Sequence, residues 1–145
     1  MYNVDTNRIN HLLDFIDSEL IVGLEKVLLI PKEECIKEPT HRFALQRISQ
    51  LFIEAMTDIG NLLIDGFIMR DPGSYEDIVD IMEDEKVYSP EEAEIFKRFV
   101  LFRKSLVGQY TEDISESLYD VYQQHNQTFS RYTTIIRSYL EKELW

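Results

Sequence analysis

Apolar residues recur at steps of three and four along most of the chain, which is the period of one face of an α-helix. The first such stripe runs through residues 9–28, with Asp5 or Thr6 as its N-cap. Residues 31–39 are polar and bracketed by two prolines, so we predict a linker there, with the single cysteine, Cys35, inside it. No stretch alternates apolar and polar positions at the period of two that is typical of a half-buried strand.

A second helix is expected to begin near Thr40 and to end near Arg70, because an Asp-Pro-Gly turn follows at residues 71–73. Ser74 and Asp77 then resemble a capping box, with aspartate in the place of glutamate, and a short helix should start there.

The Ser-Pro-Glu-Glu sequence of residues 89–92 is a stronger start signal, with a capping serine and a proline at the first helical position. It predicts a helix to about residue 107. Residues 112–144 are helical again, as one helix or with a break near residues 124–127. We therefore predict an all-α, up-and-down bundle of about five helices, forming a single domain over residues 1–145.

Composition agrees with a folded domain, since 44% of the 145 residues are hydrophobic and 12% are aromatic. One cysteine leaves no disulfide framework and no cysteine-rich zinc site, and the three histidines lack metal-ligand spacing. The N-terminus does not resemble a signal peptide, and the apolar runs are far shorter than the roughly 20 residues that cross a bilayer. We expect a cytoplasmic protein without a metal, a cofactor or a membrane contact.

Charge is distributed unevenly along the chain. The formal net charge of −12 disfavours binding to nucleic acid through bulk charge. Residues 71–94 hold ten carboxylates and one lysine, which we interpret as solvated helix faces and helix N-terminal charges. Residues 95–111 contain no acid but four basic residues, so a local basic surface is expected there.

Arg103 and Tyr110 lie within this basic stretch, seven residues apart, and would share a face if the helix continued that far. Gly108 lies between them, where a helix could end. A guanidinium beside a tyrosine hydroxyl can hold a phosphate, because its N–H groups form a fork that matches two phosphate oxygens. The alternative is a basic surface helix with one buried tyrosine.

A polar stripe of Asp58, Asn61 and Asp65 interrupts an otherwise apolar helix. Buried carboxylates need a partner, and Arg103 is the partner we expect. The alternative is an ordinary solvent-exposed face.

Residues 103–110 resemble the R-x4-H-x-Y motif of HepT-like proteins in the HEPN superfamily, with glycine in place of the histidine. Residues 58–61, residues 66–75 and the short acidic helix that ends near Val87 also resemble one subgroup of that family. The resemblance extends over essentially the whole chain.

The resemblance implies an all-α homodimer and, in many members, a metal-independent endoribonuclease toxin encoded beside a small nucleotidyltransferase (MNT-like) antitoxin. The motif residues of both subunits would meet in a cleft that takes RNA or a nucleotide. Arg103 and Tyr110 would be the catalytic residues, and Asp58, Asn61 and Lys104 are candidates for binding. The antitoxin of this family can adenylylate the motif tyrosine, which here is Tyr110.

Gly108 occupies the histidine position of the motif. RNA hydrolysis without a metal needs one group to take the proton of the 2′-hydroxyl and another to protonate the leaving oxygen, and histidine suits both tasks. Loss of a general base typically costs about 10²–10⁴-fold in rate. We therefore expect weak or absent cleavage, unless His125 on the next helix replaces the missing base.

Three interpretations remain open at this point. The chain is a weakly active HepT-like ribonuclease, or a catalytically silent HepT-like homodimer that binds nucleotide, RNA or a protein partner. Outside the family, it is a helical interaction module with a dimer seam formed by an aromatic stripe, which consists of Tyr119, Tyr122, Phe129 and Tyr132.

Overall fold

The computed structural model describes residues 2–144, and within them the chain forms eight α-helices and no strand. The helices are α1 (Thr6–Phe15), α2 (Ile21–Leu28), α3 (Lys32–Lys37), α4 (Pro39–Phe67), α5 (Tyr75–Asp84), α6 (Pro90–Val100), α7 (Ser115–Ser130) and α8 (Tyr132–Leu144). A π-helical turn, Ile16–Leu20, joins α1 to α2, and a second one, Lys104–Gly108, follows α6. The predicted all-α fold is confirmed. None of these helices is both long and apolar enough to cross a membrane.

The helix starts that the sequence predicted are formed by the expected side chains. Asp5 accepts a hydrogen bond from the backbone N–H of Arg8 at 3.0 Å. Ser74 accepts one from the N–H of Asp77 at 3.0 Å. At α6 the capping box is complete, because the carboxylate of Glu92 also accepts from the N–H of Ser89 at 2.8 Å.

Two boundaries differ from the sequence-based expectation. The predicted linker contains a helix, α3, whose acidic first turn and basic last turn complement the helix dipole. Cys35 is buried on its inner face, and this burial raises the pKa of the thiol. The α-helix expected to reach residue 107 ends at Val100, and a turn then leads into the π-helical turn.

The C-terminal region forms two helices rather than one. His125 has non-helical backbone angles (φ −124°, ψ 28°) and kinks α7 within the predicted break. The chain then leaves the helix at Arg131, and α8 follows. Asp17 accepts hydrogen bonds from Thr133 at 2.7 Å and from Arg137 at 2.8 Å, so the first π-helical turn is tied to α8.

Helix α4 forms the centre of the core. The ring of Phe52 packs edge-on against Phe99 of α6, Phe129 of α7 and Tyr132 of α8, with centroid distances of 5.7–5.9 Å. Edge-to-face aromatic pairs of this kind contribute about 0.5–1.5 kcal/mol each beyond their burial. The aromatic stripe proposed as a dimer seam is therefore part of the core of the chain, where all four of its rings are buried.

The turn between α4 and α5 is held by the ion pair of Arg70 and Asp77. Helix α4 ends where Ile68 adopts left-handed backbone angles (φ 57°, ψ 54°). Arg70 then forms two hydrogen bonds with the carboxylate of Asp77, at 2.7 and 2.8 Å, and the N–H of Gly73 donates a third at 2.8 Å. The bonds from Arg70, and then the bond from Gly73, lower the pKa of Asp77 to about 2.

Gly60 marks the closest approach of α4 to α5. A Cβ atom at this position would lie 2.5 Å from Cγ2 of Ile78, a buried side chain that is stiff at its branched carbon. We expect Gly60→Ala to lower the free energy of unfolding by about 1–3 kcal/mol in urea, because overpacking outweighs the roughly 1 kcal/mol gain in helix propensity.

Gly23→Ala is the matched control, since its Cβ would lie 3.2 Å from the mobile end of the half-buried Ile48. It should change the unfolding free energy by less. A Gly60→Ala variant as stable as the wild type would contradict the close contact.

Asp77 is expected to make part of the stability dependent on acid pH. Its pKa in the folded chain lies below the value of about 3.9 for an unfolded aspartate. Its stabilising contribution is therefore present above about pH 4 and is lost as the pH falls towards about 2. Urea unfolding of Asp77→Asn should show lower stability at neutral pH and a smaller decline between these pH values than the wild type.

The control is Asp71→Asn, which removes an exposed carboxylate without a bonded partner in residues 2–144. It should keep the wild-type slope. Identical pH profiles for the wild type and Asp77→Asn would show that the ion pair does not hold the turn.

Candidate functional site

Arg103 lies where three parts of the chain meet. It stands between the end of α6 and the second π-helical turn, and its Nε donates to Oε1 of Glu54 on α4 at 2.6 Å. Its guanidinium carbon lies 4.2 Å from the centroid of the Tyr75 ring, at the first position of α5. A carboxylate and an aromatic face therefore fix the plane of the guanidinium.

The contacts of Arg103 leave its terminal nitrogens free. Only Nε is bonded to a protein acceptor in the described part of the chain, so both Nη groups keep their N–H donors. The side chain is 28% exposed, which makes the fork accessible to a ligand. A guanidinium held in this way can bind two oxygens of a phosphate without first losing side-chain freedom.

The carboxylate that pairs with Arg103 is not the one we expected. Asp58, Asn61 and Asp65 are exposed, and their side chains form no hydrogen bond within residues 2–144. Arg103 instead pairs with Glu54, which lies one helical turn before Asp58. Helix α6 ends at Val100, and the turn that follows brings the arginine to α4 at the level of Glu54. The polar spacing of the stripe, extended back by four residues, could have identified Glu54.

Gly108 ends the second π-helical turn and does not need glycine for its backbone conformation, since none of the described glycines has a positive φ. A Cβ atom built on it would have no neighbouring atom within 4 Å. The next residue, Gln109, leaves the helical conformation (φ −122°, ψ 48°). The histidine position of the motif therefore faces open space within this chain.

Tyr110 and Lys104 are exposed residues of the same segment. Tyr110 is 76% exposed, which excludes the alternative of a buried tyrosine beside a basic helix. No hydrogen bond within residues 2–144 joins Tyr110 to Arg103, and the helical conformation ends at Gly108, two residues before Tyr110. Their meeting in one cleft stays a prediction.

His125, the alternative base, lies at the kink of α7. Its Nε2 is 3.1 Å from Nη2 of Arg98, a basic residue of α6. The histidine is thus engaged by a guanidinium in this chain, and its role as a base stays a prediction.

Four of the ten carboxylates of residues 71–94 form ion pairs within residues 2–144. Besides Asp77, the side chain of Asp80 accepts from Lys97 at 3.0 Å, and Glu92 lies 3.8 Å from Arg131 while it caps α6. Within residues 2–144 no three histidine, cysteine or acidic side chains are grouped so that they could hold a metal ion.

Comparison with known proteins gives the family. A family model described as Ribonuclease HepT-like matches residues 18–136. The chain is 42% identical over 144 residues to the Bacillus subtilis (strain 168) protein named "Putative RNase YutE", covering 99% of this chain and 95% of that protein.

Two solved structures resemble the fold. YutE from Bacillus subtilis, described as a cytosolic protein of unknown function, superposes with a TM-score of 0.86 at 41% identity, over 99% of this chain and 96% of that one. A chain of a toxin–antitoxin crystal structure with AMP-PNP gives a TM-score of 0.75 at 19% identity, over 88% and 96% of the two chains, and at that identity it supports the fold alone. With the family model matching most of its length, the chain belongs to the HepT-like ribonuclease family.

Proposed function

We propose that this chain is a HepT-like protein of the toxin–antitoxin type whose Arg103 binds RNA phosphate, and that its RNA cleavage is weak or absent. One observation carries the proposal. Arg103 is held by Glu54 and Tyr75 with both Nη groups free, while the adjoining motif position, Gly108, has no side chain. The charge-stabilising half of a ribonuclease site is present and the proton-transferring half is missing.

The chemistry of RNA cleavage explains why this combination is slow. The 2′-oxygen attacks the neighbouring phosphorus while its proton leaves, and the 5′-oxygen departs as it gains a proton. Arg103 can stabilise the negative charge that develops on the phosphate oxygens. A tyrosine hydroxyl such as that of Tyr110 can donate a hydrogen bond but does not act as a base at neutral pH. Proton transfer is then left to water.

We further propose a homodimer in which the motif segments of two copies form one cleft. Leu101 and Val107, two large apolar residues beside the motif, are about half exposed in the single chain. Apolar side chains at the surface are typical of a protein contact when they adjoin a functional segment. A second copy would bring its own Arg103 to the same site.

The expected partner is a nucleotidyltransferase antitoxin. A structural neighbour of the same fold is described as part of a toxin–antitoxin structure with AMP-PNP, which supports a nucleotide-using partner for this fold. The exposure of Tyr110 makes its hydroxyl accessible to such an enzyme. Transfer of an adenylyl group from ATP to that oxygen, with release of pyrophosphate and of the phenolic proton, would add a negative charge to the surface that receives RNA phosphate.

A catalytically silent binding protein is the second candidate. It is favoured by the same Gly108, since loss of the base removes cleavage while Arg103 keeps its contact with phosphate. The homodimer, the RNA or nucleotide ligand and the partner are the same in both candidates. They differ only in whether the wild-type chain turns over RNA.

Restoring the histidine tests this account. Because position 108 is open, Gly108→His should fold normally and raise single-turnover cleavage of a labelled RNA by about 10²–10⁴-fold over the wild type. Gly108→Asn, which adds a polar side chain without a base, should not. Arg103→Ala should remove the gain when it is combined with Gly108→His.

Rapid cleavage by the wild type that Gly108→His does not increase would overturn the proposal of weak or absent activity. A wild type that binds RNA without any cleavage would select the silent binding protein.

The modification of Tyr110 is tested with the partner enzyme. Incubation with a nucleotidyltransferase encoded beside the gene, together with ATP and magnesium, should add the mass of one adenylyl group to the intact chain. Tyr110→Phe should prevent the addition, since it removes the accepting oxygen. Tyr2→Phe removes another exposed tyrosine hydroxyl and should leave the addition unchanged. Full modification of Tyr110→Phe would contradict the assignment.

A further inference from the structure

A pocket of about 290 Å³ lies between α4 and the start of α5. It adjoins Tyr75, the residue whose ring contacts the guanidinium of Arg103. Its lining includes Thr57, Asn61, Gly73, Ser74, Tyr75 and Ile78. Tyr75 connects the pocket to the proposed phosphate site, because it lines the pocket and its ring also contacts the guanidinium of Arg103. A ligand in the pocket is therefore one aromatic ring away from the proposed phosphate site.

Two polar side chains of the pocket, Thr57 and Asn61, have no hydrogen-bond partner within residues 2–144. Thr57 is only 8% exposed and lines the pocket, yet its hydroxyl forms no hydrogen bond within residues 2–144. Ser49, another hydroxyl of α4, is bonded instead to Tyr122 at 2.7 Å. The amide of Asn61 is also free, with a donor and an acceptor side. The Thr57 hydroxyl and the Asn61 amide are therefore available to hydrogen-bond a ligand in the pocket.

The lining favours a neutral, flat ligand over an anion. None of the pocket residues is charged. The N-terminus of α5, which could otherwise attract a phosphate, is already occupied, since Ser74 accepts from the N–H of Asp77 and the carboxylate of Asp77 accepts from Gly73. That carboxylate is also paired with Arg70, so the guanidinium of Arg70 is already engaged by a protein anion.

A nucleobase matches these features. It has a flat apolar face for the aromatic and aliphatic walls supplied by Tyr75 and Ile78. Its edge carries donors and acceptors, which an asparagine amide can pair with in two bonds and a hydroxyl in one. In a nucleotide, the base and the phosphate are attached to the same sugar. The pocket and Arg103 are likewise close together, because both contact the side chain of Tyr75.

We propose that this pocket binds the base of a nucleotide whose phosphate lies on the Nη groups of Arg103. The inference rests on the proposed function, because it needs Arg103 as the phosphate contact. Arg103 provides affinity that is independent of sequence and sensitive to salt, while Thr57 and Asn61 select the base. The nucleotide is either part of an RNA chain or a free mononucleotide, since both offer the same base and phosphate.

The test measures binding of short labelled homopolymeric RNAs, one for each base, by fluorescence anisotropy over a range of salt concentrations. The wild type should prefer one base. Asn61→Ala and Thr57→Val should reduce that preference by about fivefold or more, with the salt dependence unchanged. Asn7→Ala, an exposed asparagine of α1 outside the pocket, is the matched control and should keep the preference. Arg103→Ala should weaken binding of every homopolymer and lower the salt slope by about one.

The outcomes separate the two proposals. If Arg103→Ala weakens binding but the pocket variants keep the wild-type preference, or if the wild type has no preference, the pocket inference is wrong and the proposed function stands. If Arg103→Ala changes nothing, the proposed function is wrong. If nucleoside monophosphates compete with RNA for the wild type but not for Asn61→Ala, the ligand of the pocket is a free nucleotide. If RNA binds with a base preference and nucleoside monophosphates do not compete, the ligand is a nucleotide of an RNA chain.

Discussion

The packing of Phe52 fixes the relation between α4 and the helices around it. A single ring contacts α6, α7 and α8, so these helices cannot shift along α4 without separating aromatic faces. The site depends on this constraint. Glu54 lies two residues after Phe52 on α4, and the chain that leaves α6 must pass beside it so that Arg103 can pair with its carboxylate. Arg103 meets its carboxylate there, and Tyr75 completes the contact from α5.

Features decided by neighbouring residues could be predicted from the sequence. The caps at Ser74 and Ser89 and the break near His125 depend on local backbone hydrogen bonds, and the structure has them where the sequence indicated. Helix α3 was missed because its polar sequence has no apolar stripe, and Cys35 alone marks its buried side. The pairing of Arg103 with Glu54 depends on where α6 ends, which local signals did not fix.

Net charge describes this molecule poorly at the place where a ligand would bind. The chain carries a formal charge of −12, but Arg70 and Lys97 neutralise carboxylates near the start of α5. Glu54 offsets part of the charge of Arg103 and fixes its direction, so the arginine acts through its two free Nη groups rather than through long-range attraction. A site of this kind binds a correctly placed phosphate and attracts other polyanions weakly.

We propose that Arg103, which is paired with Glu54 through Nε, binds phosphate with its Nη groups. Side-chain nitrogen NMR of arginine, followed during titration with a short RNA, observes those atoms directly. We expect the Nη signals of Arg103 to shift on binding while its Nε signal keeps the position it has in the pair with Glu54. Shifts confined to other arginines, such as Arg98, with the Nη signals of Arg103 unchanged, would contradict this proposal.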